Sequence, residues 1–499
     1  MKIKLFRNKV VMFFLFFLMA CDGDGALNIA DGGIGGTGII SEGPITNFGS
    51  IFVNGVEYEI AADTVIIRND QEITEDDLEL GMVVRIEGTI ENSDNSGKAN
   101  RVEFNDNVIG PVQEKNQDNN SLTVLGQQVI VDQLTIFAEG TDFDTLEIND
   151  VVEVSGLVDA QGNILATRIA LQSELTSFKV RGRPSQLDPI TQTLTIGELE
   201  IDYSRLPINE NEIQLLDIQG TLNNDQFIAD RIIDSPQKVV EKNTNIKFHG
   251  VITRFNSASD FDLLNSPAMI TSGTIFKFGS AADLALNVKL DVKGYLNDEG
   301  ILVLEEVVFL PPRPMSIEAQ VQAVDTVHNN ITLLGVSIQI NNTTSFRDHL
   351  HRLRTFNLKD LSIGESVEVH VFLDSTTNTL IAEQLQREYS DIMEGVRIEG
   401  TINSFEIATR TLNVLGITVM VDENTRYFDK QIPKFPMRSE DVIAMAHNPN
   451  PQPGPNTNLT ADEFFSRVQE PGSFVNVEGR LVGDIVVADV LIIDPEPKR

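Results

Sequence analysis

Four short landmarks recur in the same order along the chain, and this repetition constrains the fold more than any other feature. In the second copy the landmarks are Gly110-Pro111-Val112, Leu-Thr-Val-Leu-Gly at 122–126, Val-Glu-Val-Ser-Gly at 152–156 and Ala-Thr-Arg-Ile at 166–169. Landmarks that return in a fixed order indicate one supersecondary unit repeated in tandem. We therefore predict six units, and their ranges are 42–107, 108–174, 175–241, 242–313, 314–392 and 393–499.

Apolar and polar residues alternate inside each unit, as in Val-Glu-Val-Ser at 152–155. This period of two is typical of a strand with one buried face. Asn54-Gly55 and Leu125-Gly126 fall where hairpins would turn, because glycine accepts the positive backbone angles of such turns. Thr-Glu-Asp-Asp-Leu at 74–78 predicts a short capped helix. The sequence therefore predicts an all-β chain, a tandem array of six small OB-like five-stranded β-barrels, each with at most a short helix.

Several of these segments resemble a known bacterial envelope domain. The segments are Gly-Pro-Ile-Thr-Asn-Phe-Gly-Ser-Ile-Phe-Val-Asn-Gly at 43–55, Gly81-Met82-Val83-Val84, and the recurring Leu-Thr-Val-Leu-Gly and Ala-Thr-Arg-Ile sequences. Together they resemble DUF5666, closely in the first two units and in the core of the last, and less closely in the third to fifth. The resemblance implies a barrel-like fold. It implies no established activity and no catalytic residues.

The amino terminus resembles that of a bacterial lipoprotein. A basic stretch precedes the apolar run Val10–Leu18, which is too short to span a bilayer and is typical of a signal peptide. Leu18-Met19-Ala20-Cys21 is similar to a lipobox. That similarity implies signal cleavage between Ala20 and Cys21 and lipid on the Cys21 thiol. We therefore expect a signal peptide over 1–20, a glycine-rich tether over 21–41 and a mature part outside the cytoplasm, anchored to the inner or outer membrane of the cell envelope.

The composition is strongly acidic. Four of the 38 basic residues lie in residues 1–20, which leaves 34 against 74 acidic residues and a net charge of −40. Such a surface repels phosphate backbones, so we expect no nucleic acid as a partner. The glycine-rich stretch at 32–38 lacks the lysine that a phosphate-binding loop needs, and we expect no cofactor. Cys21 is the only cysteine in the sequence, so an intrachain disulfide is excluded.

Few residues follow the pattern of a catalytic or metal site. No Gly-x-Ser-x-Gly nucleophile elbow occurs in the sequence. His349 and His351 are close together, but zinc needs a third ligand and the surrounding arginines oppose a cation, so a solvated basic loop is the alternative. Asp76-Asp77 and Asp142 with Asp144 suggest calcium, but no Asp-x-Asp-x-Asp-Gly loop is present. The sequence therefore predicts no catalytic residue and no metal ligand.

The last unit contains a long insert at about residues 429–471. Its prolines at 449–455 resist helix and strand formation. Thr460-Ala461-Asp462-Glu463 is a capping box that predicts the start of a short helix. Phe464 and Phe465 on that helix are candidate partner contacts, and packing on their own barrel is the alternative. We expect the insert to project from the barrel.

Three functions remain compatible with these features. The first is a non-enzymatic envelope module for binding or scaffolding, whose strand faces and loops meet an envelope protein or a glycan. The second is an enzyme or accessory subunit acting on envelope glycans, which would require two carboxylates roughly 5 to 10 Å apart across a cleft. The third is a calcium-stiffened, adhesin-like stalk, which predicts acidic clusters at the junctions between units.

Overall fold

The architecture is built almost entirely from strands. The computed structural model describes residues 38–91, 95–172, 175–206, 215–223, 226–234, 244–374, 376–389, 395–429, 459–468 and 472–494. Ala20, Cys21 and most of the insert therefore lie outside the described residues. Among the helices that are described, none is long and apolar enough to cross a membrane.

Units 1 and 4 share one sheet. Its strands are β1 (Gly38–Asn47), β2 (Ile51–Val53), β3 (Val56–Arg68), β4 (Gln71–Glu72), β5 (Val83–Ile90) and β6 (Ser96–Phe104) in unit 1, and β19 (Asn245–Ser257), β20 (Asp260–Leu263), β21 (Ser266–Lys277), β22 (Lys289–Leu296) and β23 (Leu302–Phe309) in unit 4. In unit 1, β1 pairs with β2 and β5, β3 pairs with β2 and runs parallel to β6, and β5 pairs with β6. These pairings close a five-stranded barrel.

Units 2 and 3 share the second sheet. Its strands are β7 (Val108–Asn116), β8 (Ser121–Val124), β9 (Gln127–Ile130), β10 (Ile136–Phe137), β11 (Val151–Val158) and β12 (Ile164–Gln172) in unit 2, and β13 (Phe178–Gly182), β14 (Gln186–Asp188), β15 (Thr193–Ile196), β16 (Leu199–Asp202), β17 (Leu216–Asn223) and β18 (Gln226–Asp234) in unit 3. The pairing order of unit 1 recurs here. In unit 3 the first strand is divided into β13 and β14.

Units 5 and 6 share the third sheet. Its strands are β24 (Met315–Gln320), β25 (Ala323–Asp325), β26 (Asn330–Leu333), β27 (Val336–Gln339), β28 (Ser345–Asp348), β29 (Ser366–Asp374) and β30 (Thr379–Arg387) in unit 5, and β31 (Gly395–Glu406), β32 (Thr411–Val414), β33 (Ile417–Asp429), β34 (Phe474–Val482) and β35 (Ile485–Ile493) in unit 6. The helix α1 (Ala461–Arg467) also belongs to unit 6. The prediction of an all-β array of OB-like five-stranded barrels is confirmed.

The glycine that ends each Val-x-Val-x-Gly landmark lies at a β-bulge. The register between β11 and β12 shifts at Ser155 and Gly156, and the same shift occurs at Gly88 between β5 and β6. A Cβ atom on Gly156 would lie 2.3 Å from the carbonyl oxygen of Leu165. Only glycine fits so close to the neighbouring strand, and the bulge bends the strand as barrel closure requires.

The predicted hairpin turns and the capped turn are also present. Asn54 and Gly55 have φ of 52° and 74°, and Leu125 and Gly126 have 45° and 72°, as two-residue hairpins require. Within residues 74–78, Glu75–Asp77 form a 3₁₀-helix that Thr74 and Leu78 flank. The Asp77 carboxylate accepts hydrogen bonds from the backbone N–H and the hydroxyl of Thr74, at 2.9 and 2.8 Å.

The first strands of the units join the barrels in pairs. β1 of unit 1 runs parallel to β19 of unit 4, whereas β7 pairs antiparallel with β13 and β24 pairs antiparallel with β31. The apolar cores of units 2 and 3 merge into one cluster, as do those of units 5 and 6. β1 begins at Gly38, so residues 38–41, which the sequence assigned to the tether, belong to the first barrel.

Candidate functional site

Polar side chains on the outer faces of the barrels are buried where the barrels meet. Among them are Asp106, Lys179, Asp217, His370 and Glu399. A charge is expensive to bury unless it is paired or hydrogen-bonded. We define a first junction, between units 1, 2 and 3, by Arg68, Asn69, Asp106, Glu153, Lys179 and Asp217. A second junction, between units 2, 5 and 6, comprises Gln133, Ser316, Glu368, His370 and Glu399.

In the first junction, the guanidinium of one arginine pairs with two buried carboxylates. Arg68 contacts Glu153 of unit 2 and lies 3.5 Å from Asp106. Burial, together with the nearby charge of Asp106, raises the pKa of Glu153 to about 7, although Arg68 acts in the opposite direction. Burial and the neighbouring carboxylate outweigh the charge of Arg68, so the Glu153 carboxyl retains a proton more readily than an exposed glutamate does.

Lys179 extends the first junction into unit 3. Its Nζ lies 3.0 Å from Asp217 Oδ1 and also donates to Asn69 Oδ1 of unit 1. Arg181 is the second cation beside Asp217, at 2.9 Å. Burial lowers the pKa of Lys179, an effect that the charge of Asp217 partly offsets. Polar contacts therefore connect units 1 and 3 although 110 residues separate Asn69 from Lys179.

The second junction follows a row of side chains across three adjacent strands. Ser316 on β24 is paired with His370 on β29 and with Glu399 on β31. Gln133 of unit 2 covers the row and donates to Glu399 Oε2 at 2.7 Å. Burial lowers the pKa of His370 to about 4, so its imidazole is neutral near pH 7.

Two glutamates beside this row have raised pKa values. Burial, reinforced by the charges of Glu388 and Glu399, raises the pKa of Glu368 to about 7. Burial also raises the pKa of Glu383 to about 7 against the opposing charge of Lys289. Both carboxyls therefore exchange a proton near neutral pH. Ionisation disfavours the folded state at these two positions as the pH rises from about 4.5 to about 7.

The basic segment 347–354, which contains the predicted histidine pair, connects unit 5 to two other units. Arg347 donates to the carbonyl oxygen of Phe137 in unit 2. Arg354 donates to the carbonyl oxygens of Glu75 and Leu78 in unit 1, at 2.6 and 2.8 Å, and its guanidinium lies 4.1 Å from the ring centre of Phe48. Arg347 and Arg354 therefore contact other units, whereas Arg352 is 63% exposed, so only part of the segment is the solvated basic loop that the sequence suggested.

His349 and His351 do not converge on a metal site. His349 Nδ1 lies 3.0 Å from Glu388, and the backbone N–H of His351 donates to Asp348 Oδ1 at 3.0 Å. Over the part of the chain that the structure describes, no group of three or more histidine, cysteine, aspartate or glutamate residues has the geometry to hold a metal ion.

The acidic pairs considered for calcium have local structural roles. Asp77 caps the 3₁₀-helix, as described above, and Asp142 Oδ1 accepts a hydrogen bond from the backbone N–H of Thr145 at 2.7 Å. The two junctions combine acids with arginine or lysine or with a neutral histidine. A calcium-stiffened stalk predicts acidic clusters at the junctions, and here the acids of each junction lie beside a cation or a neutral histidine.

Phe464 and Phe465 are buried in the core of unit 6, with 0% and 5% of their surface exposed. Their ring centres lie 5.2 Å from Tyr427 and 5.7 Å from Phe405, respectively. The capping box is present, because Thr460 and Glu463 bond to each other's backbone N–H groups. Both rings therefore pack on their own barrel, which was the alternative to a role as partner contacts. Residues 430–458 of the insert lie outside the described residues.

Sequence reasoning did not identify the junction residues, because Arg68, Glu153 and Lys179 occupy outward positions that normally face water. The signal available was weak: a lysine and an arginine on one short strand, β13, in a very acidic chain. Their partners are distant in sequence, so no local spacing marks the site.

Comparison with known proteins identifies a family and adds no ligand. No curated protein is significantly similar to the chain. The solved structure titled "drosophila Unr CSD456" aligns with 70% of this chain and 98% of its own length, at 10% identity and a TM-score of 0.13, too low to carry an argument. The family described as "Domain of unknown function (DUF5666)" matches residues 37–103, 109–170, 249–307, 318–386 and 399–434. Because these segments cover more than half of the chain, it belongs to the DUF5666 family.

Proposed function

We propose that this protein is a lipid-anchored, non-catalytic scaffold and binding module of the bacterial cell envelope. The observation that carries the proposal is the use of outer strand faces as junctions. Lys179 connects unit 3 to unit 1, and Arg354 connects unit 5 to unit 1, although neither pair of units is adjacent in sequence. Arg68 adds an ion pair between units 1 and 2. Barrels fixed in this way present their loops at constant spacing, which suits a scaffold better than a flexible string of domains does.

Two hairpin tips are the best candidates for contact with a partner. Ile190 of unit 3 and Val327 of unit 5 are 93% and 82% exposed. The backbone N–H of each residue donates to the side chain of an aspartate two positions earlier. The distance is 2.8 Å from Ile190 to Asp188 and 2.9 Å from Val327 to Asp325. Single exposed aliphatic residues are common. Here the same capped turn carries an exposed aliphatic residue in both unit 3 and unit 5. This recurrence supports a role for the two tips in binding an envelope protein or a glycan.

Photo-crosslinking at the hairpin tips tests the binding role. We expect a photoreactive residue at position 190 or 327 to capture a defined envelope component in the native membrane. Asp118 of unit 2 provides a matched control, because its backbone N–H donates to Asn116 in the same kind of turn, at 2.9 Å, without an aliphatic side chain. Equal capture at position 118, or none at 190 and 327, would contradict binding through these tips.

Replacing Cys21 with serine tests the lipid anchor. The serine hydroxyl cannot form a thioether, so the variant should lose all labelling by radioactive palmitate and accumulate as uncut precursor. Ala20 and Cys21 define the expected cleavage site. Envelope fractionation of the variant against the unmodified protein is the measurement. A Cys21→Ser protein that remains labelled and membrane-bound would refute the lipoprotein assignment.

A further inference from the structure

An amine, a carboxamide and a buried carboxyl group meet in the first junction. Asn69 Nδ2 donates to Asp106 Oδ2 at 2.6 Å, and the backbone N–H of Asp106 donates to Asn69 Oδ1 at 3.2 Å. Lys179 Nζ contacts the same Oδ1 atom. Asp106 is fully buried and Lys179 is only 3% exposed. Asn69 and Asp106 belong to unit 1, where Asp106 follows the last strand, β6, and Lys179 belongs to unit 3.

These groups are the reactants and the proton carrier for an amide exchange. A neutral lysine amine can attack a carboxamide carbon, and the exchange is slow in water because the amine is protonated and the amide nitrogen leaves poorly. Burial lowers the pKa of Lys179, which favours the nucleophilic form. Holding the amine against the amide replaces a bimolecular encounter with an intramolecular one. A carboxyl group hydrogen-bonded to the leaving nitrogen can supply the proton that nitrogen needs.

We propose that Lys179 and Asn69 form an intramolecular isopeptide bond, with Asp106 as the proton carrier, which covalently joins unit 1 to unit 3. The Lys179 ammonium first transfers a proton to Asp217, whose Oδ1 lies 3.0 Å away. The Nζ lone pair then attacks Asn69 Cγ, and the charge that develops on Oδ1 faces the backbone N–H of Asp106.

The second half of the reaction releases ammonia. The Asp106 carboxylate removes a proton from the attacking nitrogen and delivers it to Nδ2, its hydrogen-bond partner. Among the described residues no N–H group donates to Asp106 Oδ1, so this oxygen can take that proton. The Cγ–Nδ2 bond breaks, and ammonia leaves with the proton from Asp217 as ammonium. Nothing is oxidised or reduced, and the net charge is unchanged.

The cross-link would close a covalent loop across unit 2. A chain with one cysteine cannot form an intrachain disulfide. Closing a loop of about 110 residues restricts the unfolded chain in the same way as a disulfide of that span. The alternative arrangement is a permanent Lys179–Asp217 ion pair in which Asn69 is only a neutral hydrogen-bond partner.

Peptide mapping of the purified full-length protein separates the two arrangements. Trypsin cleaves after Arg68, Arg85, Arg168 and Arg181, and it does not cleave after an acylated lysine. The cross-linked protein should therefore yield one branched species, residues 69–85 joined to residues 169–181, lighter by one ammonia than the two peptides together. Fragmentation should locate the branch at Asn69 and Lys179.

The variants identify the reacting groups. Lys179→Arg keeps the positive charge beside Asp217 and should abolish the branched species, and Asp106→Asn should do the same by removing the proton carrier. Lys98→Arg alters an exposed pair with Asp63 and should leave the branched species intact. Unmodified protein that yields separate peptides, with cleavage after Lys179, would overturn the proposal whatever the variants do. Hydrolysis of Asn69 to aspartate without a branch would overturn it as well.

Discussion

Replacing Phe464 or Phe465 with alanine should lower the free energy of unfolding by about 3–5 kcal/mol, the usual cost of removing a buried phenylalanine ring. The two rings lie edge to face, 5.6 Å apart, and α1 is a helix of only seven residues. Such a short helix is marginal without tertiary packing. Removal of either ring should therefore also release the helix from β33.

Thermal and denaturant unfolding followed by circular dichroism measure this loss. Ile407→Ala in the same unit is the matched control, because Ile407 is exposed and its truncation should change the free energy by less than about 0.5 kcal/mol. Deleting the whole insert, 429–471, removes both rings and should destabilise unit 6 at least as much. Changes below about 1 kcal/mol for both alanine variants would contradict the packing of the rings in the core.

The features that the sequence predicts correctly depend on local rules. Alternation of apolar and polar residues defines the strands because successive side chains point to opposite faces. Asn54-Gly55 and Leu125-Gly126 identify hairpins because few residues adopt positive φ. The recurring glycine at 88 and 156 is explained by close approach at a bulge, although the repeat pattern alone did not show that reason. The order of strands in each barrel follows from these local elements.

The features that the sequence does not predict depend on contacts between distant segments. Ile39 of β1 is paired with Asn245 of β19, and nothing in either segment specifies the other. Glu153 and Lys179 occupy positions that alternation assigns to solvent, and they are buried only because another barrel covers them. The sequence of the basic segment 347–354 predicts a solvated loop, because the hydrogen-bond acceptors of Arg347 and Arg354 lie in units 1 and 2, far away along the chain. Local periodicity therefore predicts each barrel and leaves the junctions undetermined.

Replacing Arg387 with alanine is expected to cost about 3–5 kcal/mol of stability, as removal of one partner from a buried ion pair does. Arg387 is 2% exposed. Its Nε and Nη2 donate to the two oxygens of Asp348 at 2.9 and 2.6 Å, its Nη1 donates to the carbonyl oxygen of Asp360 at 3.0 Å, and its guanidinium lies 4.5 Å from the ring centre of Phe356. The alanine variant leaves the buried Asp348 carboxylate without its cation, with the backbone N–H groups of His351 and Leu353 as its remaining donors.

Arg254→Ala is the matched control, because Arg254 also pairs with two carboxylates, Asp260 and Asp262, but is 40% exposed. Exposed pairs contribute at most about 1 kcal/mol, so unfolding in denaturant should separate the two variants clearly. Equal effects of the two substitutions would show that burial does not govern the strength of the Arg387 pair.

The effect of Arg387→Ala should also depend on pH. Burial alone would raise the pKa of Asp348, but hydrogen bonds from Arg387 and from the backbone N–H groups of His351 and Leu353 outweigh it and lower the pKa to about 2 from the ordinary 3.8. An acid whose pKa is depressed by folding stabilises the protein fully above its ordinary pKa and loses that contribution as the pH falls towards the folded value. The gap in stability between the unmodified protein and the variant should therefore be largest at neutral pH and narrow between about pH 4 and pH 2. If the gap in stability stays constant down to pH 2, the substitution destabilises the protein through lost packing against Phe356. The unpaired charge of Asp348 would then not be the cause.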